Sequence, residues 1–182
     1  MSKRVLLLHG WGGSDYPHWQ SWLASEIVKN YGCVSFLKFS DFDFPKIEIW
    51  KSELKKELEI FQPDIVICHS LANTLWFHLC SEESLDEVQK LYLIAPPSIH
   101  CTIEELQSFF PISMPTKTYA KETLLITSTD DPYLTQNEAK ELEISLNVPM
   151  KILENAGHIN ADSGFGEWQW LLEKIKNDLQ KG

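Results

Sequence analysis

Residues 65–72 read Ile65-Val66-Ile67-Cys68-His69-Ser70-Leu71-Ala72. The first four are a continuous apolar run, which is typical of a β-strand that is covered on both faces. The residues from Leu71 to Cys80 are apolar almost all round, and this predicts a buried helix rather than a surface helix. A buried strand that leads directly into a buried helix indicates an α/β fold, with helices packed on the faces of a sheet.

The same alternation of strand and helix patterns continues through the chain. Six runs are predicted to be strands: Arg4–Leu8, Cys33–Phe39, Asp64–Cys68, Val88–Ala95, Thr123–Ser128 and Met150–Glu154. Helical spacing of apolar residues recurs from Ile47 to Phe61 and from Trp168 to Leu179. Thr135-x-x-Glu138 and Thr102-x-x-Glu105 have the pattern of capping boxes at helix starts. We therefore expect about six parallel strands with helices on both faces, and the first strand paired with the third.

Length and composition exclude several classes of protein. A length of 182 residues favours a single domain that comprises residues 1–182. The composition, with 43% apolar and 23% charged residues, is typical of a globular chain. No apolar run approaches the ~20 residues of a membrane span, and no secretory signal is evident, so a cytoplasmic location away from membranes is expected. The formal charge of −10 argues against a nucleic-acid partner, because an acidic surface repels phosphates.

The cysteines do not have the pattern of a metal site or of a disulfide framework. They are scattered along a chain that is large enough to build its own core: Cys33, Cys68, Cys80 and Cys101. Cys68 and His69 are adjacent, so on a strand their side chains point to opposite faces. We expect reduced thiols, no metal site and no organic cofactor.

Polar residues follow four of the predicted strands at the point where each strand ends. They are His9-Gly10-Trp11-Gly12-Gly13-Ser14 after the first, His69-Ser70 after the third, Thr129-Asp130-Asp131-Pro132 after the fifth and Asn155-Ala156-Gly157-His158 after the sixth. The carboxyl ends of parallel strands meet at one edge of a sheet, where ligand sites form. A serine, a carboxylate and an imidazole therefore fall together in the chain order Ser…Asp…His, which is the order in α/β-hydrolases.

This combination of side chains suits nucleophilic catalysis. A serine hydroxyl is a weak nucleophile without a neighbouring base, and the imidazole needs a buried carboxylate to hold its tautomer. The attacked carbonyl oxygen needs preorganised amides, which the Gly-rich loop at Trp11 and the amide of Leu71 could supply. We expect Gly10, Trp11 and Gly12 of this loop to contact substrate, with plain packing of the Trp11 ring as the alternative.

Each piece also has an ordinary structural interpretation when it is taken alone. A serine between a strand and a helix is often only an N-cap, and an aspartate before Pro132 often opens a turn. His158 could be a simple loop residue. The Gly-rich loop could cradle a phosphate, as in a flavodoxin-like binder of nucleotides or flavin, although it lacks the spacing of the known phosphate-binding motifs. The joint occurrence at four strand ends favours the hydrolase.

The motifs resemble those of a known family. His9-Gly10-Trp11-Gly12-Gly13-Ser14 with His18-Trp19, Cys68-His69-Ser70-Leu71-Ala72, Ser128-Thr129-Asp130-Asp131-Pro132-Tyr133 and Gly157-His158 are similar to the small α/β-hydrolases of retinoblastoma-binding protein nine and its bacterial serine-hydrolase relatives. The resemblance covers essentially the whole chain and implies a trimmed three-layer α/β-hydrolase fold. It also implies Ser70 as nucleophile, Asp131 as the orienting carboxylate and His158 as base.

The sequence departs from the family pattern at two points. Cys68 and Ala72 replace the glycines that usually flank the nucleophile, and these small residues are expected to keep the turn with altered packing. The Leu-x-Cys-x-Glu motif of the animal member is absent, so no protein partner is implied. The altered turn leaves a second hypothesis, a protein-binding module on the hydrolase fold with little or no catalysis, because fold alone does not establish function.

Two more expectations concern the aspartates and the substrate. Consecutive residues that leave a strand point in opposite directions, so one of Asp130 and Asp131 faces His158, and the hydrolase pattern assigns that role to Asp131. The segment from Pro96 to Glu122 is too short for a cap domain, which predicts a small lid with a helix over Thr102–Phe110. Its expected apolar lining is Ile99, Phe109, Phe110 and Ile112. The predicted function is hydrolysis of small to medium acyl esters.

Overall fold

The computed structural model describes residues 3–30, 32–82 and 84–180, with Asn30 described by its backbone alone. Six strands form one sheet: β1 (Arg4–Leu8), β2 (Cys33–Leu37), β3 (Ile65–His69), β4 (Val88–Ile94), β5 (Ala120–Ser128) and β6 (Met150–Leu153). Five α-helices connect or follow them: α1 (Trp19–Asn30), α2 (Ile47–Phe61), α3 (Leu71–Glu82), α4 (Gln136–Leu146) and α5 (Gln169–Gln180). Two short 3₁₀-helices span Glu104–Phe109 and Ala161–Ser163. None of the helices described is long and apolar enough to cross a membrane.

The sheet is parallel throughout, in the order β2-β1-β3-β4-β5-β6. The predicted pairing of the first strand with the third is confirmed, since Val5 of β1 lies opposite Ile65 of β3. The chain order therefore reverses direction at β1 and β3. In open α/β sheets this is the place where a crevice forms at the carboxyl ends of the strands.

Two apolar clusters cover the two faces of the sheet. Leu6 and Leu8 of β1 pack with α2, α3 and α4 on one face, while Val5 and Leu7 pack with α1 and α5 on the other. Successive side chains of a strand alternate between faces, so a strand covered on both sides reads as a continuous apolar run. The parallel sheet with helices on both faces, which those runs predicted, is confirmed.

The two predicted capping boxes have different outcomes. At α4 the Thr135 side chain accepts a hydrogen bond from the Glu138 amide, and the Glu138 carboxylate accepts one from the Thr135 amide, so this prediction is confirmed. The prediction at Thr102 is wrong, because the helix there is a 3₁₀-helix whose N-cap, Ile103, makes no side-chain hydrogen bond. The short turn stops at Phe110, where Pro111 follows and has no amide hydrogen to extend it.

Candidate active site

Ser70 lies at a tight turn between β3 and α3. Its φ of +53° is in the left-handed region, a strained conformation for a residue other than glycine. The Ser70 amide donates to the Ile94 carbonyl at 3.0 Å, and Asn73 Nδ2 donates to the carbonyls of Ser70 and Ile94 at 2.8 and 2.9 Å. Gly10 passes close behind, since a Cβ built on it would lie 2.6 Å from Ser70 Cβ. The turn therefore presents the serine as a nucleophile elbow does.

The elbow forms although Cys68 and Ala72 occupy the two positions that usually hold glycine. Both side chains are completely buried in the apolar cluster on the α3 face of the sheet. Burial raises the pKa of the Cys68 thiol well above its ordinary value. Cys68 is therefore a neutral packing residue beneath Ser70 and not a second nucleophile.

Ser70, His158 and Asp131 are brought together from the ends of β3, β6 and β5. Ser70 Oγ lies 2.8 Å from His158 Nε2, and His158 Nδ1 lies 3.0 Å from each carboxylate oxygen of Asp131. Because the carboxylate accepts the Nδ1 proton, Nε2 is free to accept the hydroxyl proton of Ser70. The Asp131 side chain is 1% exposed and also accepts the Tyr133 amide at 2.9 Å.

Asp130 faces away from the imidazole. Its Oδ1 atom accepts hydrogen bonds from the Ser128 hydroxyl at 2.7 Å and from the Gly157 amide at 2.8 Å. These hydrogen bonds, that of Ser128 first, hold the pKa of Asp130 below its ordinary value. The two neighbouring carboxylates thus have separate environments, and Asp130 ties the end of β5 to the segment that carries His158.

The segment from residue 155 to residue 160, here called the His158 loop, is strained and held from several sides. Gly157 and Ile159 have φ values of +52° and +49°, and a β-branched residue rarely adopts this conformation. Trp19 Nε1 donates to the Ile159 carbonyl at 2.7 Å, and His69 Nε2 donates to the His158 carbonyl at 3.1 Å. Burial lowers the pKa of His69 well below its ordinary value, so its ring is a neutral donor. Hydrogen bonds from the core therefore offset the backbone strain.

Residues 9–18 form a second segment beside Ser70, here called the β1 loop. His9 Nε2 accepts the Phe39 amide at 2.9 Å and its Nδ1 donates to the Gly10 carbonyl at 2.7 Å, while burial lowers the pKa of this imidazole. The Trp11 indole donates to the Asp43 carbonyl at 2.9 Å. These contacts anchor the loop to the chain that follows β2.

A cavity of about 400 Å³ opens in front of Ser70 and His158. Of the residues predicted to contact substrate or to offer oxyanion amides, Trp11, Gly12 and Leu71 line it. Gly10 is buried behind Ser70 and is not part of the cavity wall. Gly10 has a structural role, because the absence of a side chain lets the backbone of the β1 loop pass close to Ser70.

The segment between β4 and β5 forms another wall of the cavity, with a different lining from the predicted one. Pro97, Cys101, Ile103 and Leu106 face the cavity. The predicted lining residues Ile99, Phe109, Phe110 and Ile112 instead pack against the core, and the Phe109 ring meets Trp50 edge-on at 5.3 Å. In a 3₁₀-helix residues three apart share a face, and Ile103 and Leu106 share the face toward the cavity.

His18 and Ser14 also line the cavity, and the sequence-based expectations did not include them. His18 contacts the first turn of α1, because its Nδ1 accepts the Gln20 amide at 3.2 Å. Ser14 and His18 lie beside the cavity because the β1 loop leaves the sheet at the carboxyl end of β1, which is the same edge at which β3 leads into Ser70. Among the described residues, no group of three His, Cys, Asp or Glu side chains is arranged to hold a metal ion.

Comparison with known proteins places the chain in a family. A family model described as serine hydrolase matches residues 5–177. YdeN of Bacillus subtilis (strain 168), whose name marks it as a candidate hydrolase, is 24% identical in an alignment 172 residues long that covers 91% of this chain and 90% of YdeN. The crystal structure of the B. subtilis ydeN product superposes with a TM-score of 0.85 at 20% identity, covering 99% of this chain and 100% of that one.

Two further solved structures have the same fold. A YdeN-like candidate hydrolase from Pectobacterium atrosepticum has a TM-score of 0.76 at 22% identity, over 98% of this chain and 91% of that one. The esterase domain of a Rhodothermus marinus protein has a TM-score of 0.64 at 15% identity, over 96% and 85%. At these identities the structures establish the α/β-hydrolase fold, and the family model establishes the relationship. The chain belongs to the serine hydrolase family.

Proposed function

We propose that this chain is a carboxylesterase-like serine hydrolase in which Ser70 is the nucleophile, His158 the base and Asp131 the carboxylate that orients it. The observation that carries the proposal is the continuous set of hydrogen bonds from Ser70 Oγ through the His158 imidazole to Asp131, at 2.8 and 3.0 Å. The order of the three residues along the chain and their places after β3, β5 and β6 are those of the α/β-hydrolases.

The proposed reaction passes through an acyl-enzyme. His158 Nε2 takes the proton of Ser70 Oγ while Oγ forms a bond to the carbonyl carbon of the ester. The π electrons of the carbonyl bond move onto the carbonyl oxygen, which becomes negatively charged. When the intermediate collapses, the bond to the leaving alcohol breaks and Nε2 gives the proton to that alcohol. Water then attacks the acyl carbon while His158 Nε2 takes its proton. When this second intermediate collapses, the bond from the carbon to Ser70 Oγ breaks and Nε2 returns the proton to Oγ, which releases the acid and restores the serine.

The amides of Trp11 and Leu71 are proposed to stabilise the negative oxygen of the intermediate. Both residues border Ser70 in the cavity, one on the β1 loop and one at the first position of α3. Backbone amides at the start of a helix suit an anion because they point along the helix axis toward it. Anchoring of the Trp11 indole on Asp43 supports this assignment, since it limits the freedom of the loop.

The substrates are proposed to be esters with small to medium acyl groups. The cavity volume of about 400 Å³ matches a small ligand, and Ile103 and Leu106 form an apolar wall. In this proposal residues 1–182 form one hydrolase domain, and the segment of about 96–122 acts as a short lid rather than a separate cap. The Rhodothermus marinus neighbour, which is named an esterase domain, supports this class of reaction. The finer resemblance to retinoblastoma-binding protein nine remains a prediction.

A fluorophosphonate probe tests the nucleophile directly. The wild-type protein should be labelled at Ser70, and Ser70→Ala should not be labelled while its circular dichroism is unchanged. Labelling of both proteins would remove Ser70 from the role. Absence of labelling and of ester hydrolysis in the folded wild type would favour the non-catalytic binding module.

A series of 4-nitrophenyl esters tests the size of the acyl group. We expect acetate and butanoate esters to have a higher kcat/KM than esters of twelve or more carbons, because the cavity of about 400 Å³ matches a small ligand and the segment between β4 and β5 is short. Equal or faster hydrolysis of the long esters would contradict this assignment of the lid.

A further inference from the structure

Five buried side-chain atoms in the described part of the chain have no hydrogen-bond partner: Ser14 Oγ, His18 Nε2, Gln20 Oε1, Asn73 Oδ1 and Thr74 Oγ1. Native proteins leave few buried polar atoms unpaired, so each one needs a physical explanation. Only Ser14 and His18 among the five also line the cavity in front of Ser70. The two residues are 4% and 5% exposed and their unpaired atoms are themselves buried, so they are built into the wall, and a ligand reaches them only when the wall shifts slightly.

The hydrogen bonds of His18 determine which of its ring nitrogens carries the proton. Nδ1 accepts the amide of Gln20 and therefore has no hydrogen. Burial, and then the nearby imidazoles of His158 and His9, lower the pKa of His18 to about 4. The ring is thus neutral at pH 7 with its single proton on Nε2. That atom is a hydrogen-bond donor without an acceptor.

The position of this donor is close to the reacting groups. The His18 ring lies 4.9 Å from the His69 ring, and the His69 ring lies 5.3 Å from that of His158, measured between centroids. His69 donates from Nε2 to the His158 carbonyl, so its Nδ1 is the accepting nitrogen, but no hydrogen bond joins that atom to His18 Nε2. The Ser14 hydroxyl, four residues before His18 on the same loop, can both donate and accept.

Charge restricts the kind of acceptor that would fit. The described residues that line the cavity include two carboxylates, Asp15 and Asp162, and no lysine or arginine. Lys38 lies outside the lining and is paired with Asp15 at 3.5 Å. A ligand carboxylate or phosphate would therefore meet Asp162 and would have to compete with Asp15 for its one cation. The fitting partner for His18 Nε2–H is an uncharged oxygen such as a hydroxyl, an ether or an amide carbonyl.

We propose that the substrates of this site carry an uncharged oxygen near the scissile ester, which accepts a hydrogen bond from His18 Nε2–H and pairs with the Ser14 hydroxyl. This inference rests on the proposed esterase function and specifies its substrate class. His18 and Ser14 are then specificity-determining residues. A site built to bond a substrate oxygen discriminates against the analogue that lacks it, because its own polar atoms are left unpaired.

Two matched pairs of esters test the proposal. The first pair, 4-nitrophenyl 3-hydroxybutanoate and 4-nitrophenyl butanoate, varies the acyl group, and the second, 2-methoxyethyl butanoate and butyl butanoate, varies the alcohol. We expect kcat/KM of the wild type to favour the oxygenated ester of at least one pair by about ten- to hundredfold. The pair that shows the preference identifies which side of the ester meets the β1 loop.

Three variants assign the preference to its atoms. His18→Asn keeps an acceptor near the Nδ1 position and removes the donor at Nε2, so the preference should fall to within about threefold. His18→Gln places an amide nitrogen near the Nε2 position and should restore part of the preference. Ser14→Ala should lower it as well. The matched control is Thr74→Val, which removes an unpaired buried hydroxyl that does not line the cavity and should leave the preference unchanged.

The outcomes separate this inference from the proposed function. Hydrolysis of all four esters without a preference, or with one that His18→Asn and Ser14→Ala leave intact, would overturn the inference while the esterase stands. Failure of the wild type to hydrolyse any ester or to react with fluorophosphonate would overturn both. A better rate on the matching carboxylate ester, 4-nitrophenyl hydrogen succinate, would contradict the uncharged acceptor.

Discussion

The His158 loop and the β1 loop flank Ser70 from two sides, and they differ in how their polar groups are satisfied. In the His158 loop the amides of residues 155 to 158 donate to side-chain oxygens of Thr129, Ser128, Asp130 and Ser163. Two of its carbonyls accept from Trp19 and His69. In the β1 loop the backbone is anchored by His9, but the side chains of Ser14 and His18 keep unpaired polar atoms beside the cavity.

The difference separates two requirements of a reactive site. A group that transfers a proton must be held within a few tenths of an ångström, and in the His158 loop four amides and two carbonyls are held by hydrogen bonds from other segments or side chains. A wall that recognises a ligand needs donors that nothing in the protein satisfies, because only these gain a partner on binding. The ends of the strands therefore carry one segment whose hydrogen bonds fix its position and one segment that leaves two side-chain atoms unpaired.

The largest expected effect comes from the carboxylate that holds the proposed base. Asp131→Asn should lower kcat by about 10²–10⁴, because the neutral amide no longer stabilises the charged imidazole or its tautomer. Asp130→Asn should lower kcat by less than about tenfold, since the Asp130 carboxylate accepts hydrogen bonds from Ser128 and Gly157 and not from His158. Both variants are measured on one activated ester, with circular dichroism as the folding control. The reverse ranking would transfer the role to Asp130.

A smaller loss is expected from crowding Ser70 with the β1 loop. Gly10→Ala places a Cβ 2.6 Å from Ser70 Cβ, so the elbow or the loop must shift, and we expect kcat/KM to fall about 10²-fold. Gly32→Ala is the matched control, because its Cβ meets the Lys3 carbonyl oxygen at the same 2.6 Å away from the cavity. It should lower the urea midpoint but not kcat/KM. Equal activity losses would show that the effect of Gly10 is on stability alone.

A fall in pH should lower the free energy of unfolding, because buried neutral histidines contact the two loops. The pKa of His18 is about 4 in the folded state and 6.5 when unfolded, so between these values the unfolded chain binds the extra proton. Stability is therefore full above about pH 6.5 and is lost as the pH falls toward 4. From pH 7.5 to 5, His18 alone contributes a loss of about 2 kcal/mol, roughly 30-fold in the folding equilibrium.

His9 and His69 also have lowered pKa values and act in the same direction. Urea unfolding at several pH values measures the effect, and His18→Asn should flatten the curve. A free energy of unfolding that is equal at pH 7.5 and pH 5 would rule out these neutral imidazoles.

The smallest activity effect is expected where the His158 loop is held from the core. Trp19→Phe removes the indole donor to the Ile159 carbonyl and should lower kcat about tenfold, because the proposed base then sits less firmly against Ser70. Trp76→Phe is matched to it, since Trp76 is equally buried and donates to the Thr118 carbonyl near the start of β5. The two variants should lose similar stability, and only Trp19→Phe should lose kcat. If kcat is unchanged in both, the contact has only a structural role.

The fold was predictable because its signals are local and mutually consistent. Strands buried on both faces, such as β1 and β3, read as continuous apolar runs that no exposed element would show. The parallel arrangement then follows from the alternation of strands with helices. The triad candidates were predictable for the same reason, since parallel strands bring their carboxyl ends to one edge.

The features that were not predicted depend on contacts between distant parts of the chain. Nothing near Trp19 in the sequence indicates that its indole reaches Ile159, 140 residues later. The helix predicted over Thr102–Phe110 is a 3₁₀-helix over Glu104–Phe109, and its contacts come from afar: the Phe109 ring meets Trp50 edge-on and the Phe109 carbonyl lies 2.8 Å from His78 Nε2. The recognition role inferred for His18 depends on the unpaired Nε2 atom, which can be identified only once the positions of all surrounding atoms are known.

The elbow at Ser70 also bears on how such chains are found. Its left-handed turn forms between Cys68 and Ala72. The glycines of the Gly-x-Ser-x-Gly pattern therefore reflect the small space between the strand and the helix, and they do not by themselves specify the reaction. A genome survey that searches for those glycines would pass over this chain. A survey that asks for a small residue on each side of the serine, with Asp and Gly-His at the later strand ends, would retrieve it.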